Sequence, residues 1–254
     1  MAATPVADWL PPAPPGAVAD AVTLICLPHA GAGPGGYRPL ARLLLPRVAL
    51  RPVRLPGRES RVGEAALPEA TAVVRALVPA LVPQLRGRFA LWGHSMGGYL
   101  AFELARLLEA RFGLRAEALI VSGCPAPTSP ARAALPQRSL MDDDQLWSSA
   151  AELNGIPAEV LGDAGLRALL LPTLRADFAV FETYVRRPGP PLGCPVHAFS
   201  GQDDPEARGA DMAAWGEETR ADFHHATLPG GHFFPLEDPA AFGEALVKAL
   251  TAPN

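Results

Sequence analysis

The sequence predicts an α/β protein with a mainly parallel central sheet that is covered by helices on both faces. Three observations predict this class. Short apolar runs alternate with longer amphipathic segments, the apolar runs have the length of strands buried on both faces, and 254 residues suit one undivided α/β domain. Strands that alternate with helices pair in parallel, because each helix returns the chain to the same edge of the sheet.

Six apolar runs are predicted to form the strands. The first, Val22–Leu27, is apolar at every position except Thr23, as expected for a strand buried on both faces. The others lie at residues 48–55, 89–92, 118–122, 196–200 and 222–228. Helical spacing of apolar residues predicts helices at residues 37–44, 69–85, 98–109 and 240–250.

A long segment without predicted strands, from about residue 125 to residue 191, separates the fourth strand from the fifth. Its apolar residues recur at steps of three or four and so line one helical face: Leu170, Leu174, Phe178, Phe181 and Val185. Pro172 is expected in an early turn of this helix or at a kink. We interpret the segment as a helical lid inserted into one domain of residues 21–254. Residues 1–20, with prolines at positions 11, 12, 14 and 15, are predicted to form an extended arm.

Composition excludes several classes of function. The 22 basic residues do not outnumber the 26 acidic ones, so no nucleic-acid partner is expected. Lys248 is the only lysine and follows no glycine-rich loop, which excludes a P-loop and a Schiff-base enzyme. The three cysteines are far apart in the sequence, so we expect no metal site. Without a secretion signal or a membrane-spanning apolar run, we expect a soluble, cytoplasmic protein, with a monomer as the default state.

The strongest motif is GHSMG at residues 93–97, where the third predicted strand meets a helix. A sharp strand-to-helix turn forces its central residue into strained backbone geometry, and side chains in place of Gly93 and Gly97 would collide with it. This context is that of a nucleophile elbow, and it predicts that Ser95 is the nucleophile of a serine hydrolase.

A serine nucleophile needs a base and an acid. His232 is the predicted base, because it follows the last strand in a glycine turn at the carboxyl edge of the sheet. Structural or lining roles are expected for the other histidines: His29, His94, His197, His224 and His225. The acid should precede His232 in the chain. Asp203 and Asp204 both follow the fifth strand, and Asp204, three residues beyond Gly201, is favoured.

Two backbone N–H groups are needed to hold an oxyanion. The N–H of Met96, at a helix N-terminus, is one candidate. The second is expected from the loop at residues 28–33, after the first strand, where we choose the N–H of Ala30.

Five stretches also share the pattern of one family. They are LPHAG at 27–31, PGRESR at 56–61, GHSMGG at 93–98, LPTLRADF at 171–178 and PGGHFF at 229–234. The chain resembles the type II thioesterases, free-standing α/β-hydrolases that accompany polyketide and nonribosomal peptide synthetases. The resemblance covers nearly the whole chain, from about residue 22 to residue 246, and it implies a triad of Ser95, Asp204 and His232.

The resemblance also implies the substrate. It would be an acyl thioester on the phosphopantetheine arm of an acyl or peptidyl carrier protein domain, cleaved through an acyl-serine intermediate to remove aberrant or stalled acyl units. The enzyme itself would need no cofactor or metal. The lid would cover an acyl pocket, and the residues expected to line that pocket are His29, Phe178, Phe181 and Phe233. Alternatively, the LPTLRADF helix packs against the sheet and touches no substrate.

Three other functions remain open from the sequence. The same fold and triad would serve a small-molecule carboxylesterase or a thioesterase dedicated to product release. A catalytically silent ligand receptor is disfavoured, because such a protein normally lacks a triad member. Carrier domains tend to be acidic, so the candidates for a docking surface are Arg58, Arg61, Arg132 and Arg138.

Overall fold

The protein is described here from a computed structural model, which covers residues 9–153, 155–156 and 158–251. Six strands form one sheet in the order β2-β1-β3-β4-β5-β6, and every neighbouring pair is parallel. The strands are β1 (Val22–Leu27), β2 (Val48–Pro52), β3 (Phe89–His94), β4 (Leu119–Ser122), β5 (Val196–Gly201) and β6 (Phe223–Leu228). The predicted parallel sheet is therefore confirmed.

Helices cover both faces of the sheet. The longer ones between or after the strands are α1 (Arg38–Leu44), α2 (Ala70–Leu81), α3 (Met96–Phe112) and α9 (Pro239–Thr251), and two short ones are α7 (Gly209–Ala213) and α8 (Phe234–Glu237). Alternate side chains of a strand enter opposite cores: Ile25 packs in the core beneath α2 and α3, whereas Leu24 and Cys26 pack in the core beneath α1 and α9. None of the helices in the described ranges is long and apolar enough to cross a membrane.

The chain between β4 and β5 contains three further helices: α4 (Asp143–Glu152), α5 (Ala158–Leu161) and α6 (Ala164–Glu182). Helices α4 and α6 share a small apolar core of their own, built from Leu146, Trp147, Ala150, Leu171 and Leu174. Pro172 is the ninth of the 19 residues of α6. It therefore lies in the helix interior, and the alternative that placed it in an early turn is wrong.

Part of the proline-rich arm packs against the domain. Trp9 and Leu10 are 3% and 2% exposed and belong to the core beneath α2 and α3. The Arg61 guanidinium lies 4.0 Å from the centroid of the Trp9 ring, and the Arg54 N–H donates to the Trp9 carbonyl at 2.7 Å. The arm predicted over residues 1–20 thus contributes two core side chains, while residues 11–20 are half-buried or exposed and residues 1–8 lie outside the described residues.

Candidate active site

Ser95 occupies the sharp turn between β3 and α3. Its backbone angles, φ 54° and ψ −122°, are strained for a residue with a side chain. A Cβ on Gly93 would lie 1.9 Å from the Gly97 carbonyl oxygen, and one on Gly97 would lie 2.0 Å from the Leu27 carbonyl oxygen. The prediction that this turn has no room for side chains at its two glycines is confirmed.

Asp204 and His232 form a buried pair at the carboxyl edge of the sheet. Asp204 follows β5, His232 follows β6, and they are 3% and 5% exposed. The Nδ1 of His232 lies 3.0 and 3.1 Å from the two carboxylate oxygens of Asp204. An ionised carboxylate only accepts hydrogen bonds, so Nδ1 donates, and Nε2 of the neutral ring keeps its lone pair. Asp203 is exposed.

The environment of Asp204 favours its charged form. Burial opposes ionisation, but hydrogen bonds from His232 and from the backbone N–H groups of Glu206 and Ala207 outweigh burial and lower the pKa of Asp204. The Glu206 N–H donates to Oδ1 at 2.9 Å. Asp204 can therefore orient His232 and stabilise it when it becomes charged.

A single cavity of about 30 Å³ brings the predicted site residues together. It is lined by eight of them: His29, Ala30, Ser95, Met96, Phe178, Phe181, His232 and Phe233. The ninth, Asp204, contacts His232. Side chains from the insertion close the cavity, among them Ala150 on α4 and Leu174 on α6. The Ser95 hydroxyl and the His232 imidazole therefore share a nearly closed, mostly apolar site.

Two backbone segments beside Ser95 carry the predicted oxyanion donors. Met96 is the first residue of α3, and an N–H in the first turn of a helix has no partner within the helix. Ala30 lies in the loop after β1 and packs against the small core of α4 and α6. Both residues line the cavity that Ser95 also lines, so the oxyanion role of their N–H groups stays a prediction that the fold allows.

The two motifs that are most specific to the resembled family meet in a buried ion pair, which sequence reasoning missed. Arg58 of PGRESR donates to Asp177 of LPTLRADF at 2.8 Å, and the two side chains are 4% and 3% exposed. The Thr173 hydroxyl, one turn before Asp177, donates to the Gly57 carbonyl at 3.0 Å. Phe178 lines the cavity. The helix thus reaches the cavity as well as the loops of the sheet edge, and its contact with substrate stays a prediction.

The arginines that were predicted to form a docking surface instead bind partners within the fold. Arg58, Arg61 and Arg138 are 4%, 3% and 6% exposed. Arg138 forms an ion pair at 2.5 Å with Glu206, and both residues line the cavity. The half-buried Arg132 donates to the backbone carbonyls of Phe181 and Tyr184. The expectation of a docking surface is wrong at the three buried arginines, because each of their guanidinium groups is directed to a partner within the fold. At Arg132 it stays a prediction.

Two further histidines beside the cavity are held neutral. Burial lowers the pKa of His29 to about 3, with smaller contributions from His232 and Arg58. Burial likewise lowers the pKa of His94, whose Nδ1 lies 3.0 Å from the Ser122 hydroxyl. Such rings are weak bases at neutral pH, which leaves His232 as the candidate base. In the part of the chain that the structure describes, no group of three or more His, Cys, Asp or Glu residues could hold a metal ion.

A parallel sheet with a serine on the strained turn after its third strand, and with an acid and a histidine after its last two, defines an α/β-hydrolase. Comparison with known proteins agrees with this class. The family model of the thioesterase domain matches residues 22–251, and the chain therefore belongs to the thioesterase family.

Individual relatives support the same assignment. The chain is 38% identical over 218 residues to thioesterase PikA5 of Streptomyces venezuelae, which covers 85% of this chain and 76% of that protein. It is 38% identical, with a TM-score of 0.87, to the type II thioesterase BorB of the borrelidin biosynthetic cluster, over 98% and 100% of the two chains. The type II thioesterase YbtT of the yersiniabactin pathway matches at 31% identity and a TM-score of 0.80, over 93% and 94%. The resemblance to type II thioesterases is thus confirmed, and the protein is a hydrolase that acts on thioesters.

Proposed function

We propose that this type II thioesterase removes acyl groups from the phosphopantetheine arm of carrier protein domains in a polyketide or nonribosomal peptide synthetase. Ser95 is the nucleophile, His232 the general base and Asp204 the acid that orients it. The observation that carries the proposal is the shared cavity of Ser95 and His232, with Asp204 hydrogen-bonded behind the imidazole. Relatives from polyketide and nonribosomal peptide pathways support this substrate class.

Acylation begins when His232 Nε2 accepts the Ser95 hydroxyl proton and the serine oxygen attacks the thioester carbonyl carbon. The N–H groups of Met96 and Ala30 donate to the oxyanion of the tetrahedral intermediate. Asp204 stabilises the imidazolium that forms. When the intermediate collapses, the carbon–sulfur bond breaks and the sulfur leaves as a thiolate, which takes up the proton held by His232 and restores the neutral imidazole. Because a thiol has a pKa of about 8.5, the bond can break before that proton is transferred.

Deacylation repeats these steps with water. His232 accepts a proton from a water molecule, whose oxygen attacks the acyl-Ser95 ester carbonyl. The same two N–H groups hold the second oxyanion, and His232 then returns the proton to the Ser95 oxygen as the carboxylic acid leaves. The cycle consumes one water and releases a free acid and an unloaded carrier arm.

The insertion between β4 and β5 acts as a lid in this proposal. A cavity of about 30 Å³ holds roughly two water molecules, since each needs about 10–15 Å³ of such volume. An acyl group needs more room than this, so side chains of the insertion that close the cavity, such as Leu153 and Phe178, must move aside when it binds. Acyl groups left on a stalled carrier arm are accessible to such a free-standing enzyme, and we assign it an editing role.

The proposal is tested by incubating acyl-loaded carrier protein with the wild-type enzyme and with Ser95→Ala, and by following loss of the acyl group as a change in intact mass. A simple oxygen ester of the same acyl group serves as the parallel substrate. Serine-dependent unloading that is faster than ester cleavage supports the carrier substrate. A carrier that stays loaded while the ester is cleaved points to a carboxylesterase, and unloading by Ser95→Ala at the wild-type rate contradicts the triad.

A further inference from the structure

The loop that carries Ala30 is fixed by a side chain of lid helix α6. The Gly31 N–H donates to Asp177 Oδ2 at 2.7 Å, across 146 positions of the chain. Asp177 Oδ1 accepts from Arg58 Nη2 at 2.8 Å. Gly31 directly follows Ala30, so Asp177 determines the orientation of the peptide group next to the predicted oxyanion donor.

Arg58 completes the contact on the other side of the same loop. Its Nη1 donates to the Ala32 carbonyl at 2.9 Å, and its Nε and Nη2 each donate to the Pro56 carbonyl at 3.3 Å. The ion pair therefore holds an N–H group at Gly31 and a carbonyl group at Ala32. The loop between these two points cannot rotate without breaking a buried, charge-assisted hydrogen bond.

Only a carboxylate satisfies both neighbours at position 177. The groups that face its two oxygens are the Gly31 N–H and the Arg58 guanidinium, and both are donors. An asparagine of the same shape would direct its NH2 group at one of these donors in either rotamer. Gly31 itself has φ +79°, and a Cβ there would lie 3.3 Å from Leu174 Cδ1 of α6. The helix and the loop are thus fitted to each other in charge and in shape.

We propose that Asp177 is a positioning residue, which sets the Ala30 N–H in its oxyanion-binding orientation from the lid. This inference rests on the proposed function. Helix α6 also supplies Leu174 and Phe178 to the cavity wall. One helix therefore both encloses the acyl group and shapes the site that stabilises the oxyanion, so that acylation is fast only when α6 is seated on the loop.

Asp177→Asn is the direct test, and Glu218→Gln is its matched control. Glu218 is also a buried carboxylate, 1% exposed, and pairs with Arg186 at 2.5 Å, but neither residue lines the cavity. Loss of one oxyanion donor lowers kcat about 100- to 1,000-fold, so a displaced donor in Asp177→Asn should lower kcat about 10- to 100-fold, with KM changed less than about twofold. The control should keep kcat even where it lowers the melting temperature.

A short alkyl boronic acid gives a readout that a merely structural role would not change. Its adduct with Ser95 is a tetrahedral anion, so its Kd should rise in Asp177→Asn by about the same factor by which kcat falls. Should Asp177→Asn not fold, Arg58→Lys takes its place: it keeps a cation beside Asp177 but loses the planar fork, and kcat should fall about 10-fold.

Three results would overturn the inference: a kcat in Asp177→Asn within twofold of the Glu218→Gln value, an unchanged boronic acid Kd, or, where Arg58→Lys alone folds, a wild-type kcat in that variant. Failure of the proposed function looks different. In that case Ser95→Ala keeps its activity, whatever the variants at position 177 do.

Discussion

Replacing Asp204 with asparagine should nearly abolish turnover while leaving the fold intact. The carboxylate accepts from His232 Nδ1 through both oxygens, and its Oδ1 also accepts from the Glu206 N–H at 2.9 Å. An asparagine keeps that backbone bond only through its own carbonyl oxygen. Its NH2 group then faces Nδ1 of His232 and donates to it.

The magnitude follows from the tautomer that this contact selects. A donor at Nδ1 forces the proton of the neutral ring onto Nε2, where it blocks transfer of the Ser95 proton. The corresponding change in a well-studied serine protease triad lowers kcat about 10,000-fold, which corresponds to about 5 kcal/mol of transition-state stabilisation. We expect a loss of this order, with a KM close to the wild-type value.

The assay measures kcat and KM on an acyl thioester, together with the melting temperature of each variant. Asp203→Asn is the matched control, because the same change is made one residue away on an exposed side chain and should leave kcat within about twofold. The reasoning is refuted if Asp204→Asn keeps more than a tenth of the wild-type kcat, or if Asp203→Asn is the more damaging change.

Three further predictions concern stability. Gly97→Ala should unfold the elbow or cost more than about 3 kcal/mol, because its Cβ would lie 2.0 Å from the Leu27 carbonyl oxygen; a wild-type denaturant midpoint would contradict this. Burial lowers the pKa values of His29 and His94, so the unfolded chain binds more protons than the folded one as the pH falls below about 6.5. The free energy of unfolding should therefore fall between pH 6.5 and 4.5, with about 2 kcal/mol of that loss from His29. His29→Gln should make that slope shallower by about one proton, and an unchanged slope would speak against the neutral ring. Trp9→Ala should cost about 3–5 kcal/mol in chemical unfolding, and a loss below 1 kcal/mol would show that the arm is dispensable.

The sequence predicted the sheet and the candidate site wherever the signal was local. Ser95 stands in a motif with a steric requirement of its own, and Asp204 and His232 both follow recognisable strands. The second strand was predicted at residues 48–55 but ends at Pro52. Val53 and Leu55 are buried without continuing the strand, and hydrophobicity alone does not distinguish a buried loop from a strand.

Contacts between distant charges were not predictable in this way. Arg58 and Asp177 are 119 positions apart, and nothing near either residue indicates its partner. For the same reason, the sequence did not show that three of the arginines predicted for a docking surface are buried. From the sequence alone an arginine is expected at the surface, because the carboxylate or carbonyl that binds it is distant in the chain. Glu206, which pairs with Arg138, is an example. Trp9, among prolines, likewise carried no periodic signal of burial.

The buried Trp9 has a consequence for any gene fusion that joins this domain to another protein. The family match begins at residue 22, which invites a junction just before β1. Such a junction would discard an indole that is 3% exposed, together with the cation–π contact that Arg61 makes with it. Arg61 belongs to the PGRESR loop, three residues after Arg58, so the loss would reach the loop from which Arg58 donates to the Ala32 carbonyl and to Asp177. A fusion joined upstream of Trp9 keeps the contacts that Trp9 makes with Arg61 and with the Arg54 N–H.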